Sequence, residues 1–397
     1  MYNALTTQRI LSIDAFRGIT ILVMIFVNEL AGVQGIPLWM KHMPADADAM
    51  TFVDMVFPAF LFIVGMSIPF AINNRLSKGD NIGQLQLHIL FRTIGLIVLG
   101  VFMVNAEGGY NEEAMGMSIA LWSLLFYAGV ILIWNVYTFK SKAVIYALRV
   151  IGIALLLVLA FIYKGGEDGT QSLTPQWWGI LGLIGWAYLI ACILCQLLNG
   201  KLIAIIVAIG VCILFYAAGR SSMADSSSVM RWMSGQTGHA THTAIVLCGI
   251  AVSLMFFDTK QKRSDSQRFM FVFTFAAVIF IAGFVLRPHY TISKIYATPT
   301  WSLYSAGFCS LIFAFLYWLI DLKKISSWTA FFKPAASNPL LTYIIPFILY
   351  ALFKLLHIEW PDLFYQGTVG VIWSAIYAIA IMAFVIGLNK LKIKLQL

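Results

Sequence analysis

Five polar residues interrupt the N-terminal apolar stretch of this 397-residue chain at spacings that permit chemistry: Asp14, Arg17, Asn28, His42 and Asp54. Asp14 and Arg17 are three apart, so on a helix they can pair at the edge of a span. Arg17 and Asn28 are eleven apart, close to three turns, which puts both on one helix face about 16 Å apart along the axis. That face offers a guanidinium suited to phosphate at one end and a primary amide toward the other. Plainer uses exist for both: Arg17 can snorkel from the span edge and Asn28 can cap the helix. His42 follows Trp39 and Lys41 and precedes Asp46 and Asp48. Imidazole is the side chain best fitted to move a proton near neutral pH, although a lone surface histidine often has no such task. Asp54, at the head of the next apolar run, can orient that imidazole or cap the helix it opens. Spacing leaves both open.

The elements that must position these groups are membrane spans. Of the chain, 61% is hydrophobic and 11% charged, against roughly 45–50% and about 25% in an ordinary soluble domain. With 26 Lys+Arg and 17 Asp+Glu, the chain cannot clothe a soluble body of this size in polar side chains. That excludes a soluble enzyme, a disordered chain and a disulfide-stapled secreted module. The net charge of +9 is no sign of nucleic acid, because the basic residues fall in short clusters between apolar runs rather than along an aromatic-interleaved stripe. A spanning helix needs about 20 apolar residues. Candidate runs occur at 18–33, 54–72, 87–105, 116–136, 144–163, 177–198, 202–218, 241–257, 269–286, 301–320, 338–356 and 367–388. The expected fold is therefore all-α, a polytopic helical bundle of about 10–12 transmembrane helices, in one integral domain over residues 1–397. The first run is expected to be a span rather than a cleaved signal, being long and lacking a small-residue exit.

Alternating the loops from a cytoplasmic N-terminus puts Lys41, Lys164, Arg220, Arg231, Arg287, Lys294 and Lys354 outside, and the remaining 19 of the 26 basic residues, Arg9 among them, inside. Cytoplasmic loops accumulate Lys and Arg, so both termini are expected in the cytoplasm. The longer outer loops, 34–53, 164–176 and 219–240, are where a water-soluble acceptor would be met. All five cysteines fall inside apolar runs and read as small core residues, Cys192-x-x-Cys195 included. His239-x-x-His242, expected in an outer loop, has the spacing of two metal ligands, but no third ligand stands nearby in sequence. No metal is expected, and acceptor binding is the better use for His239.

The motifs Ser12-x-Asp14-x-x-Arg17-Gly18, Val27-Asn28, Lys41-His42 and Asp54-Met-Val-Phe-Pro58-x-Phe-Leu-Phe-Ile-Val-Gly65 resemble the heparan-α-glucosaminide N-acetyltransferase family, and more closely its bacterial members within the transmembrane acyltransferase group. Lys294-x-x-Ala297-Thr298-Pro299-Thr-Trp301 and Ala336-Ser-Asn338-Pro339-Leu-Leu-Thr-Tyr343 are similar to two later segments of that family. The resemblance implies a multi-pass protein of the bacterial cytoplasmic (inner) membrane. Its activity would be transfer of an acetyl group from cytoplasmic acetyl-CoA to an amino or hydroxyl group of a sugar on the far side. His42 matches the family's active-site histidine and Asn28 its partner; Asp54 would complete a catalytic group. Asp14, Arg17 and Arg92 are the candidates for holding CoA. Lys294, Trp301, Asn338 and His239 are the candidates for the acceptor pocket. The lipid bilayer is a partner throughout, and a homodimer is left open. A thioester is already activated, so positioning, a base and an oxyanion donor suffice. The alternative is a transporter or exporter of a polar solute using the same polar residues as a path, against which stands the lack of visible sequence halves.

Overall fold

The computed structural model describes residues 10–221 and 226–397. Among these residues twelve apolar helices appear in chain order: α1 Leu11–Leu30, α2 Val56–Ser77, α3 Ile82–Glu107, α4 Ile119–Trp134, α5 Lys142–Ile162, α6 Gly179–Leu197, α7 Leu202–Gly219, α8 Ser228–Phe257, α9 Asp265–Leu286, α10 Pro299–Leu316, α11 Pro339–Leu355 and α12 Gly367–Lys390. Each apolar run of the sequence is one of them. Among the described residues ten are long and apolar enough to cross a membrane, while α4 and α11 are shorter, and no strand forms beyond isolated bridges. The chain is an all-α, polytopic membrane protein. Helix starts are written locally: Ser141 caps α5, Ser264 and Gln267 make a reciprocal capping box on α9, and Thr298 caps α10 with Pro299 in its first turn.

One boundary differs from expectation. The outer loop expected over 219–240 is helical from Ser228 onward, so His239 and His242 lie within α8 rather than in a loop; residues 222–225 and Arg9 lie outside the described residues. Ser227 starts the helix by accepting a hydrogen bond from the Met230 amide. The polar stretch that follows then satisfies itself: Thr241 Oγ1 donates to the Gly238 carbonyl at 3.0 Å and Thr243 Oγ1 to that of His239 at 2.7 Å. Hydroxyls turned back onto their own helix need no water, so a segment that reads as polar can be buried.

The chain divides into two compact units, with boundaries that fall inside α1, α3 and α6. Described residues up to Thr20, Ile36–Thr93 and Ile184–Ala330 form the first; Ile21–Gly35, Ile94–Leu183 and Phe331–Leu397 form the second. In the first, α8 is the core helix. It is buried at every position from Thr241 to Phe257, as expected of a helix apolar all round, and packs between α2 and α7. Small residues let α2 and α8 touch by backbone: a Cβ on Gly65 would fall on the Val246 carbonyl, and one on Gly249 on the Phe62 carbonyl. Ser253 Oγ bonds the Met66 carbonyl at 2.9 Å across the same seam, which is how spanning helices associate when lipid removes the hydrophobic drive. Gly249→Val should therefore lower stability by about 1–3 kcal/mol or more, read as a lower unfolding midpoint in detergent. In the second unit α4 packs on α5 and α11. Its core is Trp122 stacked with Phe102 and Phe126, the indole N–H bonded to the Leu159 carbonyl at 3.0 Å.

Candidate active site

Within the first unit the segment 41–54 folds onto a single carboxylate. Asp54 sits in a short 3-10 turn ahead of α2 and is 1% exposed. Its Oδ1 lies 2.7 Å from His42 Nδ1. Its Oδ2 accepts from the Thr51 amide at 3.1 Å and the Met43 amide at 3.3 Å. Thr51 Oγ1 donates to the Lys41 carbonyl at 2.9 Å, tying the loop back beside His42. The Trp301 indole, fully buried at the start of α10, donates to the Asp54 backbone carbonyl at 3.3 Å. Asp54 is thus held from four sides with its free lone pairs on the imidazole.

That arrangement dictates the tautomer. An ionised carboxylate only accepts, so His42 donates from Nδ1 and carries its lone pair on Nε2. The His42 side chain is 44% exposed against 2% for Asp54, so the imidazole is open at the surface while the acid that orients it is enclosed. Lys294 comes from the segment before α10, its Nζ 3.3 Å from His42 Nδ1 and 3.4 Å from Nε2. A group nearly equidistant from both nitrogens lies in line with neither lone pair, so Nε2 stays available. Burial pushes the Lys294 ammonium below the usual lysine range, and the negative charge of Asp54 opposes that shift.

The Lys294 segment is pinned by its own bonds. Asp48 accepts from Arg287 Nε at 3.1 Å and from the Ile292 amide at 2.8 Å, and Thr298 Oγ1 accepts from the Ser293 amide at 3.0 Å. His242, buried in α8, stands edge-on to the rings of Phe57 and Trp301 at 5.2 and 5.9 Å and backs the indole that holds Asp54. In sequence His242 is visible only as half of the His239-x-x-His242 pair, and Thr51 only as a hydroxyl three residues before an acid.

The other expected residues are placed as follows. Asp14 and Arg17 pair at 3.2 Å, and Arg17 also donates to Ser67 on α2 at 2.9 Å. Arg92 lies over the Tyr188 ring, 4.9 Å from its centroid. His239 faces Trp186 at 5.8 Å between ring centroids. Asn28, the expected partner of His42, belongs to the second unit and lines a cavity of about 440 Å³ there with Glu29, Glu107, Tyr127 and Tyr377. Glu29, which sequence reading passed over although it is an acid inside an apolar run, accepts from the Trp373 indole at 3.1 Å. Asn338, also in the second unit, donates to Asn389 Oδ1 at 2.9 Å and the Ile393 carbonyl at 3.0 Å, and accepts from the Leu395 amide at 3.1 Å. Its amide is spent on fastening the C-terminal segment. Among the described residues no three His, Cys, Asp or Glu side chains come together as metal ligands.

The fold and this cluster define a polytopic membrane protein that carries a carboxylate-oriented histidine with a lysine beside it. The chain belongs to the family described as a domain of unknown function, DUF5009, whose model matches residues 9–237. It is also 38% identical over 98 residues to human heparan-alpha-glucosaminide N-acetyltransferase and 35% identical over 101 residues to the mouse protein. Those matches cover 24% and 25% of this chain and 14% of each relative, so the chain spans only a small part of the length of these curated relatives.

Proposed function

We propose that this protein is a transmembrane acyltransferase that moves an acetyl group from acetyl-CoA to an amino or hydroxyl group of a sugar on the opposite side of the membrane. The observation that carries this reading is the buried Asp54 carboxylate 2.7 Å from His42, with Lys294 at 3.3–3.4 Å. The partial likeness to N-acetyltransferases supports it. His42 Nε2 takes the proton of the acceptor as its nitrogen or oxygen attacks the thioester carbonyl. Negative charge gathers on that carbonyl oxygen, where the Lys294 ammonium donates to it. On collapse the C–S bond breaks, and the proton held on Nε2 passes to the departing thiolate. The products are the acetylated sugar and free CoA. Asp54 keeps Nδ1 protonated throughout and stabilises the transient imidazolium. The excess of Lys and Arg between alternate spans supports a cytoplasmic placement of both termini.

The test is release of free CoA by purified protein against a panel of sugars and amino sugars, with a 42 Da mass gain (an acetyl group replacing hydrogen, roughly) on the product. Hydrolysis of acetyl-CoA without acetylated product, or none at all with every acceptor, would refute the proposal. The pH profile supplies a second check. Only the ammonium form of Lys294 stabilises the oxyanion, and burial lowers its pKa, so activity should fall on the alkaline side below the usual lysine range. Lys294→Arg should move that limb upward, because a guanidinium does not titrate there. An unmoved limb would remove Lys294 from the mechanism.

A further inference from the structure

Away from His42, the first unit carries a second polar cluster where α2 ends, α3 begins and α6 passes. Arg75, in the last turn of α2, donates to Asp80 at 2.7 Å and to His88 Nδ1 at 2.9 Å. An arginine can only donate, so Nδ1 of His88 is the acceptor and the ring of a neutral His88 bears its proton on Nε2. Arg92 follows His88 by four residues on α3, on the same helix face, and His88 lies within electrostatic reach of both arginines. Arg92 is ten residues beyond the start of α3, about 15 Å along its axis. Among the described residues no carboxylate pairs with Arg92; its guanidinium rests on the Tyr188 ring at 4.9 Å, and its Nε is buried without a hydrogen-bond partner.

A charge at that depth in an apolar helix is costly unless something answers it. The cluster holds two guanidinium charges and one carboxylate; the imidazole spends its acceptor, Nδ1, on Arg75 and leaves its Nε2–H as a further donor. Donors outnumber acceptors, and the excess charge is positive. The site opens to the surface at Arg75, whose side chain is 36% exposed. Convergent guanidinium and imidazole N–H groups with an unanswered positive charge suit the tetrahedral oxygens of a phosphoryl group.

We infer that Arg75, His88 and Arg92 form a phosphoryl-binding site, with Arg92 as its inner anchor. Two sources share that chemistry, the nucleotide phosphates of an acyl-CoA donor and the headgroup of an anionic phospholipid. The first deepens the donor half of the proposed function and rests on that reading. The second does not.

The experiment uses the full chain in phosphatidylcholine bilayer discs, with CoA as probe, pantetheine as the phosphate-free control, and matched discs containing phosphatidylglycerol. Arg92→Gln removes the charge while keeping a long polar side chain, so it should fold with an unfolding midpoint equal to or above that of the unaltered protein. A nucleotide occupant predicts that Arg92→Gln weakens CoA binding about 10- to 100-fold, the worth of a charge-assisted hydrogen bond or two. His88→Gln should act in the same direction, Arg92→Lys should restore part of the affinity, and pantetheine binding should not change. A lipid occupant predicts unchanged CoA binding and selective loss of retained phosphatidylglycerol in Arg92→Gln. Folded Arg92→Gln protein that matches the unaltered protein toward both probes would overturn the inference. Because binding rather than turnover is read, protein that binds CoA through Arg92 but acetylates nothing would sink the proposed activity and leave this site standing.

Discussion

Replacing His42 by alanine is expected to lower acetyl transfer by about 10²–10⁴-fold, the range a positioned general base supplies. The fold should survive, since the side chain is 44% exposed and its removal leaves Asp54 still bonded to the Thr51 and Met43 amides. The loss should fall on the chemical step, with affinity for the acyl donor little changed, because the imidazole serves the transition state rather than ground-state binding. Added imidazole should restore part of the rate by entering the vacated space. Full turnover in folded His42→Ala protein would dismiss the base and the mechanism built on it.

Asp54→Asn should be nearly as damaging for a different reason. The carboxylate accepts from His42, Thr51 and Met43 at once, and an amide can present only one oxygen to those donors. If that oxygen serves the loop amides, the NH2 group meets His42 and forces its Nδ1 to accept. The proton then moves to Nε2, and the base nitrogen is lost. The same exchange in a Ser-His-Asp triad costs about 10⁴ in kcat, and a loss of that order is expected here. Stability should also fall, by about 1–3 kcal/mol, for the unmatched buried donor. The two effects separate in measurement. A loop defect lowers the unfolding midpoint, whereas a tautomer defect displaces the pH–rate profile at unchanged midpoint. A variant that loses only stability would reduce Asp54 to a structural residue.

Much of the architecture is legible along the chain. A run of about 20 apolar residues is a local property, and it is sufficient for a span because the bilayer forces the backbone to satisfy itself within each helix. Every such run is accordingly a helix here. The start of α8 was not legible: Thr237, Thr241, His242 and Thr243 look like loop residues, and only the returned hydroxyl bonds and the packing of α2 and α7 around them make burial tolerable. The Arg75–His88 contact was equally hidden, because it depends on how α3 folds back against α2 after the turn at 78–81.

The site divides in the same way. Scarcity of polar groups makes His42 and Asp54 visible as candidates in such a chain, but residue types and spacing leave open a plain surface histidine for the one and a helix cap for the other. The tertiary structure turns Asp54 onto the imidazole, by filling its other oxygen with the Thr51 and Met43 amides and holding its carbonyl with Trp301 from 247 residues away. Lys294 reaches the ring through a loop fastened by Asp48 and Arg287, which are 239 residues apart. Composition and periodicity determine that the chain is a bundle of spans, because hydrophobicity is counted residue by residue. Which side chains meet is decided by contacts between distant segments, because hydrogen-bond direction and close packing exist only once those segments share one place.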